Sequence, residues 1–185
     1  RERRRQVREA EREVLVQRVP APALRGEGHH GADREEEVEE AEEHRAMRRV
    51  LPMWKELYRI EAESGLAYPL RDDAADIWFE QTSQRIESRN YFMLVAEDAK
   101  GSFAGFHTGQ IRRRPAIYRD AVIGSLIEIY IDSRYRGKGI AKRFLEGAIE
   151  FFKERGIKQV EAPTLVGNEH PHKMYERYGW KTDLI

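Results

Sequence analysis

Ile129-Tyr130-Ile131-Asp132-Ser133-Arg134-Tyr135-Arg136-Gly137-Lys138-Gly139-Ile140-Ala141 carries the strongest structural signal in the chain. An apolar strand-type run enters a short turn with two glycines and passes straight into a helical pattern. Along that helix Ile140, Phe144, Leu145, Ala148, Phe151 and Phe152 share one broad face, and Gly156 follows as a C-terminal cap. Such a junction suits an anion. The first N–H groups of a helix have no intrahelical partner and point at whatever lies ahead of them. Gly137 and Gly139 let the backbone approach closely and take positive φ, while Arg136 and Lys138 add positive charge. A Gly-x-Gly turn alone favours the reading of an ordinary strand-to-helix connection with a charged surface. Two nucleotide motifs are excluded: there is no Gly-x-x-x-x-Gly-Lys-Ser/Thr spacing, and a dinucleotide fingerprint needs glycine where Arg143 stands.

Working upstream, Ser125 to Ile131 is the strand that feeds the turn, with Arg112 to Arg114 and Pro115 in a loop before it. Tyr91 to Ala96 and Phe103 to Ile111 read as a hairpin across a turn at Asp98 to Gly101. Asp73 to Glu87 is a helix, and Val50, Trp54, Leu57 and Tyr58 recur at helical spacing, with Pro52 expected to kink or restart that helix. Between Asp33 and Glu43 stand eight acidic residues against one base, Arg34, which reads as a solvated helix with Asp33 as N-cap and Glu36 as capping partner. Val14 to Val16 could begin a strand, Val19 to His30 reads as loop, and Arg1 to Arg12 as a charged arm. Downstream, Lys158 to Leu165 supplies a strand, Glu169 to Arg177 a short helix and Trp180 to Ile185 a last strand. Helices, a meander, then strand–helix–strand–helix–strand make an α/β (α+β) fold with helices on the sheet faces. The domain spans residues 33–185, with residues 1–32 a charged segment that could hold the first strand.

Composition narrows the function. Lys and Arg balance Asp and Glu at 33 each, so net charge points neither to nucleic acid nor to an anionic membrane. No apolar run approaches the roughly 20 residues of a membrane span, and no signal-peptide pattern stands near the start. The chain opens at Arg1 rather than Met, as a piece of a longer chain would. With no cysteine, disulfides, thiolate metal sites and a cysteine nucleophile are all ruled out, and a cytoplasmic protein fits best. His170-Pro171-His172 lacks the further ligands that a metal site needs, so none is expected.

Arg136-x-x-Gly139-x-Ala141 resembles the Q/R-x-x-G-x-G/A motif with which the GNAT acyltransferase superfamily cradles the pyrophosphate of coenzyme A. Asn168, Tyr175-Glu176 and Gly179-Trp180 are similar to that family's closing motif, although Pro171 stands where alanine is usual. The resemblance runs from about Met47 to the end. It implies a mixed, mostly antiparallel central sheet flanked by helices, and an N-acetyltransferase carrying acetyl from acetyl-CoA to a small-molecule or peptide amine in a ternary complex. A homodimer is compatible with it. A coenzyme-A-binding module without turnover, acting as a sensor or in an interaction, is the alternative.

The chemistry needs a base for the amine, a donor for the tetrahedral oxyanion and an acid for the departing thiolate. The resemblance assigns the acid to Tyr175, with a packing tyrosine as the plain alternative. It places a glutamate on the strand before the turn, which here is Glu128. Period-2 alternation sets Glu128 and Tyr130 on one face and Ile127, Ile129 and Ile131 on the other. A surface carboxylate is an equal reading. The strand is expected to diverge from the one at Lys158 to Leu165, often through a bulge, so that Ile129, Tyr130 and Ile131 bind the pantetheine arm and provide the oxyanion donor. Arg136, Gly137, Lys138, Gly139, Ile140 and Ala141 would hold the pyrophosphate, and Asn168 the arm. Trp54, Tyr58, Tyr68 and Trp78 read as core or as walls of the acceptor pocket.

Overall fold

A computed structural model describes residues 15–19, 32–65, 68–119, 121–165 and 167–181. Among the described residues five strands form one sheet in the order β1-β2-β3-β4-β5: β1 (Leu15–Arg18), β2 (Tyr91–Glu97), β3 (Phe103–Arg113), β4 (Val122–Ile131) and β5 (Val160–Glu161). All neighbours are antiparallel except β4 and β5. The helices are α1 (Ala32–Glu63), α2 (Ala74–Ile86), α3 (Ile140–Glu154) and α4 (Glu169–Arg177). The Arg1 to Arg12 arm, most of the Val19 to His30 loop, the capping side chains Asp33 and Glu36, and most of the Trp180 to Ile185 strand lie outside the described residues; Trp180 and Lys181 themselves are not in a strand.

The core has two layers because β2 is buried on both faces. Phe92, Leu94 and Ala96 meet Phe144, Leu145, Ala148, Phe151 and Phe152 of α3. Tyr91, Met93 and Val95 meet Met47, Val50 and Trp54 of α1 and Trp78 and Ile86 of α2. Glycine makes the α3 layer tight: a Cβ on Gly124 of β4 would come within 2.7 Å of the Phe152 ring.

Three expectations change. Helix α1 continues through Pro52 rather than restarting there. An interior proline costs about 3 kcal/mol, and burial of Met47, Val50 and Trp54 along one face offsets it. Arg112 and Arg113 belong to β3 rather than to a loop, and Arg112 and Arg114 both pair with Glu161 of β5. The strand expected over Lys158 to Leu165 shrinks to Val160–Glu161, since its only described ladder positions are Gly124↔Val160 and Ser125↔Glu161. Strands exist only where a partner continues.

Pro171 leaves the start of α4 in place. It falls in the helix's first turn, where its missing N–H is not needed.

Candidate active site

The glycine turn is held from three sides. Asp132 accepts from the Arg134 N–H and pairs with its guanidinium, starting a 3₁₀ turn over Ser133–Tyr135. Tyr135 donates to Asp98 at the β2–β3 turn at 2.6 Å. Arg136 Nε donates to the Ile131 carbonyl at 3.0 Å. Gly137 and Gly139 take φ of +75° and +79°, and a Cβ at either would meet nothing within 4 Å. Arg136, Gly137, Lys138 and Gly139 are exposed, whereas Ile140 is buried and anchors the start of α3. The exposed cations Arg136 and Lys138 therefore stand beside the N-terminus of α3, where the N–H groups of Ile140 and Ala141 have no partner within the helix.

Strand β4 carries a bulge. Thr108 of β3 pairs with Glu128, but Gly109 pairs with Leu126, leaving Ile127 as an extra residue. The expected grouping of Ile127 with Ile129 and Ile131 therefore fails: Ile127 is 39% exposed, while Leu126, Ile129 and Ile131 belong to the α3 layer. Glu128 and Tyr130 face α1 and α2, as alternation from Ile131 backwards requires. Among the described residues β4 has no partner on its β5 side beyond Ser125, so Leu126 to Ile131 present an open edge that ends at the glycine turn.

Glu128 is buried in a nest of donors. Its Oε1 accepts from the indoles of Trp54 at 2.9 Å and Trp78 at 3.0 Å, and its Oε2 from the Thr108 hydroxyl at 2.9 Å. Burial raises its pKa, and the three donors oppose the rise. Tyr58 stands nearby, its hydroxyl pushed up to about 12 by burial and then by the Glu128 charge. Tyr68, 88% exposed, is not part of the core.

Tyr175 lies in the α3 layer against Trp180, 8% exposed, its pKa pushed up to about 12 by burial. Among the described residues His107 Nε2 is the one fully buried side-chain N or O atom without a partner. Tyr175 and Glu128 thus sit on opposite faces of the sheet, on either side of the open β4 edge. Asn168 occupies the N-cap position of α4 with no capping bond from its side chain. His172 of α4 pairs with Glu176, and no group of three metal-type side chains occurs among the described residues. Nor is any described helix long and apolar enough to cross a membrane.

Two residues escaped the sequence reading. Thr108 and His107 are polar side chains at 0% exposure inside an apolar strand, which was the available signal. Thr108 holds Glu128. His107 Nδ1 lies 2.7 Å from the Glu128 backbone carbonyl, and that oxygen can only accept, so Nδ1 carries the hydrogen.

Known proteins agree with this architecture. A "Putative phosphinothricin acetyltransferase YwnH" of Bacillus subtilis is 27% identical over 139 residues, 75% of this chain and 80% of that one. A mycothiol acetyltransferase of Propionibacterium freudenreichii is 26% identical over 110 residues; the match takes in 60% of this chain and only 31% of the relative's length. A predicted acetyltransferase of Clostridium acetobutylicum, solved with acetyl-CoA, shares the fold with a TM-score of 0.59 at 17% identity, over 74% of this chain and 86% of that one. The model of the Acetyltransferase (GNAT) family matches residues 51–180, from the middle of α1 through Trp180. By that match, and with the five-stranded sheet that carries it, the chain is an acetyltransferase of the GNAT family.

Proposed function

We propose that this acetyltransferase moves an acetyl group from acetyl-CoA to a primary amine by direct attack in a ternary complex. The observation that carries the reading is the open edge of β4 running directly into the glycine turn at the N-terminus of α3. An extended pantetheine arm would add to that edge at the Ile129 carbonyl and the Ile131 N–H, as a strand adds to a sheet, leaving the Ile129 N–H for the acyl carbonyl. The backbone N–H groups of the turn and Arg136 and Lys138 would receive the pyrophosphate. The Clostridium acetobutylicum neighbour, solved with acetyl-CoA, supports the same donor here.

The residues then divide the chemistry. A carboxylate has about four acceptor sites, and three of those on Glu128 are used, leaving one lone pair on Oε2 for an ammonium or a water that bridges to it. Its raised pKa brings it nearer to that of a working base at neutral pH. The amine gives its proton to Glu128, attacks the thioester carbonyl, and the tetrahedral oxyanion is met by a β4 N–H. Tyr175, protonated throughout the neutral range, gives its proton to the departing thiolate.

The test is a matrix of acyl-CoA donors against amines, read as free thiol, with no protein cysteine to add background. Thiol release that needs both donor and amine is expected. Tight coenzyme A binding with no release across a broad amine panel would leave a binding module instead.

A further inference from the structure

His107 is an odd choice for a core position. It is 0% exposed, packed between Phe92 and Phe144, and its Nε2 has no partner. A buried nitrogen without a partner is destabilising, so packing alone would favour a leucine or phenylalanine there. What the imidazole adds is one bond: Nδ1–H to the Glu128 carbonyl, one residue past the bulge.

That carbonyl belongs to the peptide that carries the Ile129 N–H. In a planar trans peptide the C=O and N–H point in opposite directions, and no cis peptide occurs in the described chain. The Glu128 C=O points toward β3, where His107 resides, so the Ile129 N–H points to the open edge. The rest of β4 agrees. Asp132 N–H bonds to Ala104 of β3 at 3.0 Å, which puts the backbone groups of Ile131 and Ile129 on the other edge; there the Ile131 carbonyl accepts from Arg136. Before the bulge the parity is reversed, because Gly124 N–H reaches Gln159 on the β5 side at 2.9 Å. The extra residue Ile127 therefore switches which N–H groups face the cleft, and His107 is bonded just beyond the switch.

We infer that His107 is a positioning residue for acyl transfer, aiming the Ile129 N–H at the thioester carbonyl so that it serves as the oxyanion donor. This rests on the acetyl-transfer reading above. His107 touches neither substrate; it acts through the Glu128–Ile129 peptide.

Three variants test it. His107→Leu keeps the bulk and removes the donor. His107→Asn places a side-chain N–H near the Nδ1 position, and His107→Gln places one near Nε2 instead. In His107→Leu kcat should fall by about 10-fold or more, toward the roughly 10²–10³-fold cost of losing an oxyanion donor. Calorimetric affinity for coenzyme A, which has no thioester carbonyl, should stay unchanged. His107→Asn should restore most of kcat and His107→Gln should not, a comparison that stands even if the leucine variant folds poorly. In the free protein, the backbone ¹⁵N resonance of Ile129 reports hydrogen bonding at the preceding carbonyl; it should move in His107→Leu and hold in His107→Asn. Wild-type kcat in His107→Leu, or an unmoved Ile129 resonance, overturns the inference alone. A wild type that releases no thiol with any donor and amine overturns the acetyl-transfer reading, and with it the purpose assigned to His107.

Discussion

Alanine at Gly139 and, separately, at Gly156 gives a matched pair at the two ends of α3. Both glycines have positive φ, +79° and +69°, and both would place a new Cβ in open space. Neither substitution clashes, so each costs backbone strain alone, about 1–2 kcal/mol for an L residue in the left-handed region. For a chain of this size about 1 kcal/mol lowers Tm by roughly 2–4 °C, and the two variants should lose similar amounts in calorimetry. Their coenzyme affinities should part. The methyl at residue 139 would stand at the N-cap of α3, beside the N–H groups that a pyrophosphate would approach. Displacing one charge-assisted hydrogen bond there removes about 1.5–3 kcal/mol, which is roughly 10- to 100-fold in Kd. The methyl at residue 156 lies at the far end of the helix, beyond Glu154, and should leave Kd alone. Titration calorimetry with coenzyme A reads both. Equal, wild-type affinity in the two variants, with similar losses of Tm, would refute the assignment of the turn to the coenzyme.

Three further outcomes are expected. Tyr175→Phe should lower kcat on the order of 10²- to 10⁴-fold, the usual cost of a lost general acid, while calorimetric Kd for coenzyme A holds; full turnover would make Tyr175 a packing residue. Glu128→Gln should fold with no loss of Tm, because its amide oxygen can still accept from Trp54 and Trp78 and its NH₂ can donate to the Thr108 hydroxyl. Its kcat/KM should fall near neutral pH and recover in part as the amine loses its own proton at higher pH, and a profile matching wild type at every pH removes Glu128 as base. His107 should steepen acid unfolding, since burial lowers its folded pKa to about 4 from an unfolded value of 6.5. The folded state then binds fewer protons, so the stability is present above pH 6.5 and is lost as pH falls toward 4, about 3 kcal/mol in all at 1.36 kcal/mol per pH unit. The raised pKa of Glu128 gives the opposite slope but is shared by wild type and His107→Asn, so the difference in urea midpoint between them isolates His107. A difference that does not change between pH 7 and pH 4.5 contradicts the buried, neutral imidazole.

Features whose causes lie within a turn or two of chain were legible from the residues. Helix α3 follows from apolar spacing between Ile140 and Phe152, and the turn before it from Gly137 and Gly139, which alone tolerate the φ values found there. Helices α2 and α4 begin and end within a residue of where their patterns do, and the β2–β3 hairpin follows from two apolar runs across Asp98 to Gly101. Tertiary structure decided what depends on distant partners. Pro52 stays inside a helix because the surrounding residues are buried against β2, and β5 is confined to Val160–Glu161, the two positions at which it pairs with β4. The bulge at Ile127 overrode strict alternation, since a single extra residue reverses facing without altering composition. Glu128 could be singled out as a carboxylate on a strand, but not its donors, which stand 74, 50 and 20 residues away at Trp54, Trp78 and Thr108. Periodicity records which face a side chain takes, whereas a hydrogen bond across such separations depends on how sheet and helices pack, and that leaves no periodic trace in the chain.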